Sequence, residues 1–256
     1  MIADRIALAA VILVMNAAPL HAQQRATHTY VIVHGAWGGG WDWKQVDSAL
    51  DASGGKVYRP TLTGLGERVH LLTPAVDLTT HITDIVNVIR FENLRDVVLV
   101  GHSYGGMVIS GVADRIPDRI RRVVYVDAFV PENGESVVTA SRVGPMGSRM
   151  GPTLDSARNG AMIPFWVKPG TNPPSDVPHP VKSFTEPLKL ENPDARRIPG
   201  TYILTVDPGK AEASDDFAPF GQRAKSRGWT YHVLQADHTP ERSAVSELAA
   251  LLRSVP

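Results

Sequence analysis

The chain has 256 residues, 26 Lys plus Arg against 26 Asp plus Glu, a formal net charge of zero, 43% hydrophobic content and no cysteine. Balanced charge provides neither a basic surface for nucleic acid nor an electrostatic attachment to membranes, and the composition is that of a folded globular chain. With no disulfide available, stability must come from a buried core, for which this length suits one α/β domain.

At the N-terminus, Arg5 precedes an apolar run from Ile6 to Met15, followed by small and turn residues up to Gln23. Ten apolar residues are too few to span a bilayer and match the h-region of a secretory signal peptide. The expectation is a signal over residues 1–22 ending at Ala22, with Leu20 bulkier than usual two positions earlier, and hence an exported, periplasmic or secreted protein. The alternative is a buried N-terminal helix.

Tyr30-Val31-Ile32-Val33 reads as a buried strand and runs into His34-Gly35-Ala36-Trp37-Gly38-Gly39-Gly40-Trp41. A glycine-dense loop after a strand lets backbone approach a ligand. It suits an oxyanion donor loop or a phosphate-cradling loop; dinucleotide binding is disfavoured because the G-x-G-x-x-G spacing is not cleanly met and no acidic ribose partner follows about 20 residues on. Trp37, Trp41 and Trp43 serve either a pocket or the core. A helix through Val46, Ala49 and Leu50 stops at Gly54-Gly55, Lys56 to Pro60 reads as a short strand, and Thr63-Gly64-Leu65-Gly66 as a loop. Ile82, Ile85, Val86 and Ile89 stand on one helical face.

Val97 to Val100 is a second fully apolar strand, and Gly101-His102-Ser103-Tyr104-Gly105 fills the G-x-S-x-G pattern where strand periodicity changes to helical. This context presents Ser103 on a sharp turn at a helix N-terminus, which makes it the candidate nucleophile. The alternative is a small-residue turn with Ser103 as an N-cap. Val123 to Val126 is the next strand and ends in Asp127, a carboxylate that needs a partner after an apolar run. From Pro131 to Pro199, which holds twelve of the 20 prolines, regular periodicity disappears. This segment is expected to be an ordered, irregular cap over the sheet edge, with a flexible linker as the alternative. Tyr202 to Val206 and Tyr231 to Leu234 restore the strand pattern. A final helix carries Val245, Leu248, Ala249 and Leu252. Alternation of strands and helices implies a mostly parallel, doubly wound sheet.

A serine hydroxyl needs a base, and the base a third group to orient it. Of nine histidines, His238 alone combines a strand-end loop with the order nucleophile, acid, histidine. His34 and His102 read as loop-shaping residues. For the acid, Asp127 is favoured, and Asp207 remains as the alternative because Asp207-Pro208-Gly209 is also what a plain β-turn requires. Asp237 adjoins His238 too closely to reach its Nδ1.

The glycine-rich loop at 34–41, Thr63-Gly64-Leu65-Gly66-Glu67-Arg68, Gly101 to Gly106, Tyr125 to Pro131 and Asp237-His238-Thr239-Pro240 together resemble the α/β-hydrolase superfamily. The branch they resemble is that of bacterial esterases related to plant methylesterases and hydroxynitrile lyases. The resemblance covers about residue 30 to the C-terminus and implies an α/β-hydrolase fold, with a core of residues 23–130 and 200–256 and a cap at 131–199. It implies Ser103 as nucleophile, His238 as base, and an oxyanion hole of the Ala36 and Tyr104 backbone N–H groups. Some members, such as certain haloalkane dehalogenases, take their acid from the position that Asp127 matches. Gly35, Trp37, His102, Phe129 and Trp166 are the candidate pocket residues. Related hydroxynitrile lyases carry threonine where Gly35 stands and lysine where Thr239 stands, which disfavours lyase chemistry. The expected function is a serine carboxylesterase acting through an acyl-enzyme on a small to medium apolar ester. No cofactor, metal, nucleic-acid partner or lasting membrane association is expected. Carbon–carbon bond hydrolysis, a lyase step and a catalytically silent binding protein are the alternatives.

Overall fold

The computed structural model describes residues 28–255; the expected signal peptide lies outside them. The strands are β1 (Thr29–Val33), β2 (Lys56–Tyr58), β3 (Val97–His102), β4 (Ile120–Val126), β5 (Ala157–Arg158), β6 (Ala161–Met162), β7 (His179–Pro180), β8 (Gly200–Val206) and β9 (Thr230–Gln235). The helices are α1 (Lys44–Asp51), α2 (Leu78–Phe91), α3 (Gly105–Arg115), α4 (Val137–Ala140), α5 (Gly147–Asp155), α6 (Val181–Thr185), α7 (Ala218–Ser226), α8 (Pro240–Ser243) and α9 (Val245–Ser254). Six strands form one sheet in the order β2-β1-β3-β4-β8-β9, and every pairing in it is parallel.

Strand side chains alternate between the two faces, and the two cores follow that period. Tyr30, Ile32, Val98, Val100, Val124 and Val126 pack with Trp43, just before α1, and with α1 and α9 through Leu50, Leu248 and Leu252. Val31, Val33, Val97, Leu99, Val123 and Tyr125 face the other core, which takes in Ile82 and Ile85 of α2 and Met107 and Val112 of α3. Strands that must be apolar on both faces are why these runs carry no polar alternation.

Strand order reverses direction between β1 and β3, so the loops leaving their C-terminal ends diverge and open a crevice. The 34–41 loop and Ser103 both lie there. The 131–199 segment, expected to be irregular, contains α4, α5, α6 and a small antiparallel sheet, β5-β6-β7. Its elements are two to nine residues long, too short for periodicity to reveal them. No helix of the described residues is long and apolar enough to cross a membrane.

Candidate active site

Ser103 has φ 52° and Asp127 φ 43°, so a non-glycine residue in left-handed backbone closes each of the two central strands. Each costs on the order of 1 kcal/mol and persists only where neighbours over-determine it. Here they do. The Ser103 amide donates to the Val126 carbonyl (3.2 Å), the Phe129 amide to the Ser103 carbonyl (3.2 Å) and the Asp127 amide to the Ile203 carbonyl (2.8 Å). Each strained residue is thus clamped to the strand or turn beside it. Gly106 permits the approach, since a Cβ there would collide with the Phe129 carbonyl.

His238 lies between the two turns. Its Nδ1–H donates to Asp127 Oδ2 (2.6 Å), and its Nε2 accepts the Ser103 hydroxyl (3.0 Å). Asp127 is fully buried, and its other oxygen accepts the Thr205 amide (3.1 Å). Burial pulls the His238 pKa down, but the hydrogen bond and charge of Asp127 outweigh it and hold the imidazole above its ordinary 6.5. The ring is stacked on Phe217 at 4.9 Å and lies 4.9 Å from the His102 ring, which limits its rotation. Asp207 takes no part in this arrangement and pairs with Lys210. Asp237 accepts from the Thr239 amide and the Ser243 hydroxyl and shapes the loop.

Ala36 and Tyr104 line the same compartment as Ser103, and neither of their backbone amides donates to a carbonyl among the turn and loop hydrogen bonds of the described residues. The loop bearing Ala36 is held from below and from above. Below, the Gly40 amide donates to Thr61 Oγ1 (2.9 Å), and that hydroxyl donates to Glu67 (2.9 Å). Arg68 grips the Thr61 carbonyl (2.8 Å), which explains the Thr63-to-Arg68 motif as a foundation for the loop. Above, Trp37, itself left-handed at φ 63°, donates its amide to His179 Nδ1 (3.2 Å) and accepts the Val177 amide (2.9 Å). His179 Nε2–H donates to Ser183 Oγ (2.8 Å). Sequence reasoning missed His179 because nothing in a proline-rich segment marks a histidine for burial against a distant loop.

Behind this lies a histidine cluster. The Tyr104 hydroxyl donates to His81 Nδ1 (2.8 Å), and His81 Nε2–H donates to the Thr63 carbonyl (2.9 Å). His34 donates from Nδ1 to the Gly35 carbonyl (2.7 Å) and accepts the Leu62 amide at Nε2 (3.1 Å), the loop-shaping role expected of it. Burial pulls both His34 and His81 down to about 4. His179 is likewise lowered by burial and by its histidine neighbours.

Two compartments flank Ser103 and His238. One, of about 240 Å³, is lined by Phe129, Val137, Met146, Met150, Phe184 and Phe217. The other, of about 380 Å³, is lined by Gly35, His102, Asp42, Asp176, Glu241 and Arg242. Of the expected pocket residues, Phe129 lies in the first, Gly35, His102 and Trp166 in the second, and Trp37 in both. Trp43 is buried in the core, and Trp41 lies beneath the Arg242 guanidinium at 5.2 Å.

This fold and this crevice define a class of α/β protein with a serine on a strained strand-to-helix turn. The chain belongs to the alpha/beta hydrolase family, whose sequence profile matches residues 30–251. It is 56% identical over 109 residues to a carbendazim hydrolyzing esterase of Nocardioides sp. (strain SG-4G), a match covering 43% of this chain and 45% of that protein. It is 32% identical over 126 residues to methylesterase 2 of Arabidopsis thaliana, covering 45% and 44%. The chain therefore spans less than half the length of these curated relatives. A solved extracellular alpha/beta-hydrolase from a Paenibacillus species superposes with a TM-score of 0.72 at 26% identity, over 88% of this chain and 97% of that one.

Proposed function

We propose that this chain is a serine-dependent ester hydrolase. The observation that carries the reading is the continuous hydrogen-bonded path from Ser103 Oγ through His238 to buried Asp127. Ser103, deprotonated by His238 Nε2, attacks the ester carbonyl, and the Ala36 and Tyr104 amides take the charge on the carbonyl oxygen. His238 returns the proton to the departing alcohol, and water activated by the same imidazole releases the acid. Asp127 holds the imidazole tautomer and stabilises its cation. The apolar compartment around Phe129 and Phe184 suits a small to medium hydrocarbon acyl group. The 131–199 segment serves as its cap, supplying Val137, Met146, Met150 and Phe184. The esterase names of the relatives support the reaction class, and the extracellular Paenibacillus relative is in keeping with export.

Replacing Ser103 with Ala is expected to lower p-nitrophenyl ester turnover by about 10⁵-fold while leaving the circular dichroism spectrum intact. A fluorophosphonate should label the wild-type protein stoichiometrically at Ser103. Unchanged turnover in the variant, or labelling elsewhere, removes Ser103 from the mechanism.

A further inference from the structure

Pro164-Phe165-Trp166-Val167, in the cap, is a tight turn closed by the Val167 amide donating to the Pro164 carbonyl (3.0 Å). The tip of such a turn is ordinarily polar or glycine, because it faces water and offers an apolar side chain little to pack against. Here the tip residues are Phe165, 78% exposed, and Trp166, 48% exposed, with Ile163 at 39% just before them. Single exposed apolar residues need no account, but contiguous ones at the rim of a cleft mark a contact surface.

The two rings meet edge to face at 5.0 Å, and Trp166 meets Trp37 in the same manner at 5.1 Å, both within the spacing at which aromatic pairs attract. Three rings thus lead from the crevice to the surface. Trp37 lines both compartments beside Ser103, Trp166 lines the second, and Phe165 lines neither. Both indoles are fixed through their N–H groups. Trp37 Nε1–H donates to the Met162 carbonyl (3.2 Å) and Trp166 Nε1–H to Asp176 Oδ2 (2.7 Å). Asp176 is in turn 3.6 Å from the Arg242 guanidinium of α8, just after His238. With their donors spent inside the protein, the rings have only carbon left to offer a ligand. Arg242, in the same compartment, is spent too, held by Asp42 through hydrogen bonds of 2.6 and 2.7 Å. The large apolar side chains of this compartment are therefore the two indoles.

We infer that Trp37, Trp166 and Phe165 form a platform for the alcohol part of the substrate, and that the substrate class is an ester of an elongated aryl alcohol with two linked rings. The inner ring lies against Trp37 and Trp166, and the outer ring leaves the cleft over Phe165. With the acyl group in the apolar compartment, the alcohol oxygen must stay within reach of the proton that His238 returns, and the second compartment is the other space that His238 lines. A rigid aryl group gains contact with fixed rings at little cost in rotamer freedom, whereas an alkyl chain of similar apolar area must first be ordered. The assignment of the alcohol to this side rests on the ester-hydrolase reading; the binding of an aryl alcohol to the platform does not depend on turnover.

Comparing kcat/KM for phenyl, 4-biphenylyl and 4-hexylphenyl acetate isolates the alcohol side, since the three esters share one acyl group and one kind of reacting oxygen. The biphenylyl ester is expected about tenfold above the phenyl ester and about threefold above the hexylphenyl ester. Phe165→Ala should reduce the biphenylyl-to-phenyl ratio to about threefold and Trp166→Ala to about one, while Phe165→Tyr, which keeps the ring, should hold it at about tenfold. A wild-type ratio near one, a ratio that both alanine variants leave unchanged, or a preference for the hexylphenyl ester overturns the platform. Calorimetric binding of 4-phenylphenol and phenol to the full chain carrying Ser103→Ala separates the two failures. Turnover of the acetates without the ring order leaves the ester-hydrolase reading standing and sinks the platform. A preference for 4-phenylphenol that Trp166→Ala removes, in a chain whose wild type turns over none of the acetates, does the reverse.

Discussion

His238 and the cluster of His34, His81 and His179 line the same end of one sheet, yet their surroundings drive them in opposite directions. His238 has a buried carboxylate at 2.6 Å, and Asp127 lifts it above 6.5 despite burial. His34 and His81 have carbonyls, an amide and a hydroxyl as partners, and burial takes them down to about 4. A histidine opposite a carboxylate is kept available for protons near neutrality, whereas one among neutral groups is kept neutral and used as a strut. The difference separates the group suited to chemistry from those that brace the loops around it.

Removing the carboxylate attacks this contrast most directly. Asp127→Asn should lower kcat for ester hydrolysis by about 10⁴-fold and shift the acid limb of kcat/KM downward, because the group that raises His238 is gone. Asp207→Asn, which breaks only a surface pair with Lys210, should leave both unchanged. Equal losses in the two variants would dissolve the assignment. In the wild-type protein the acid limb should titrate above 6.5, since His238 acts as a base only when deprotonated.

The struts make themselves felt in stability. With folded values near 4 against an ordinary 6.5 in the unfolded chain, His34 and His81 are neutral in the fold over a window where the unfolded chain binds protons. Stability should therefore rise with pH between about 4 and 6.5, and lowering the pH from 7 to 5 should cost on the order of 2 kcal/mol for each of the two. Urea unfolding at the two pH values measures this, and His81→Phe should flatten the slope. A slope unchanged in that variant would mean that His81 is no buried neutral strut.

The smallest expected effect is the most specific. His179→Phe removes the acceptor for the Trp37 amide next to Ala36, so kcat should fall about tenfold with little change in KM, as expected when an oxyanion donor is misplaced rather than the substrate site. A rise in KM at constant kcat would instead give His179 a role in the pocket.

Much of this was legible from the chain alone. Apolar runs without polar alternation announce strands buried on both faces, and β1, β3, β4 and β8 appear where the runs stand. The change of period at Ser103 marks a strand-to-helix turn, and the plain β-turn reading of Asp207-Pro208-Gly209 left Asp127 as the carboxylate without an ordinary explanation. These features are local: propensity, periodicity and turn chemistry act over a few residues and leave their mark in sequence order. The tertiary structure decided what depends on residues far apart in the chain. It placed His179 on a loop 142 positions away, set Asp42, Asp176 and Arg242 around Glu241, and divided the crevice into an apolar and a polar side. No local pattern encodes those encounters, because burial and the charge of a distant neighbour, rather than the residue's own type, determine whether a histidine or a carboxyl holds a proton.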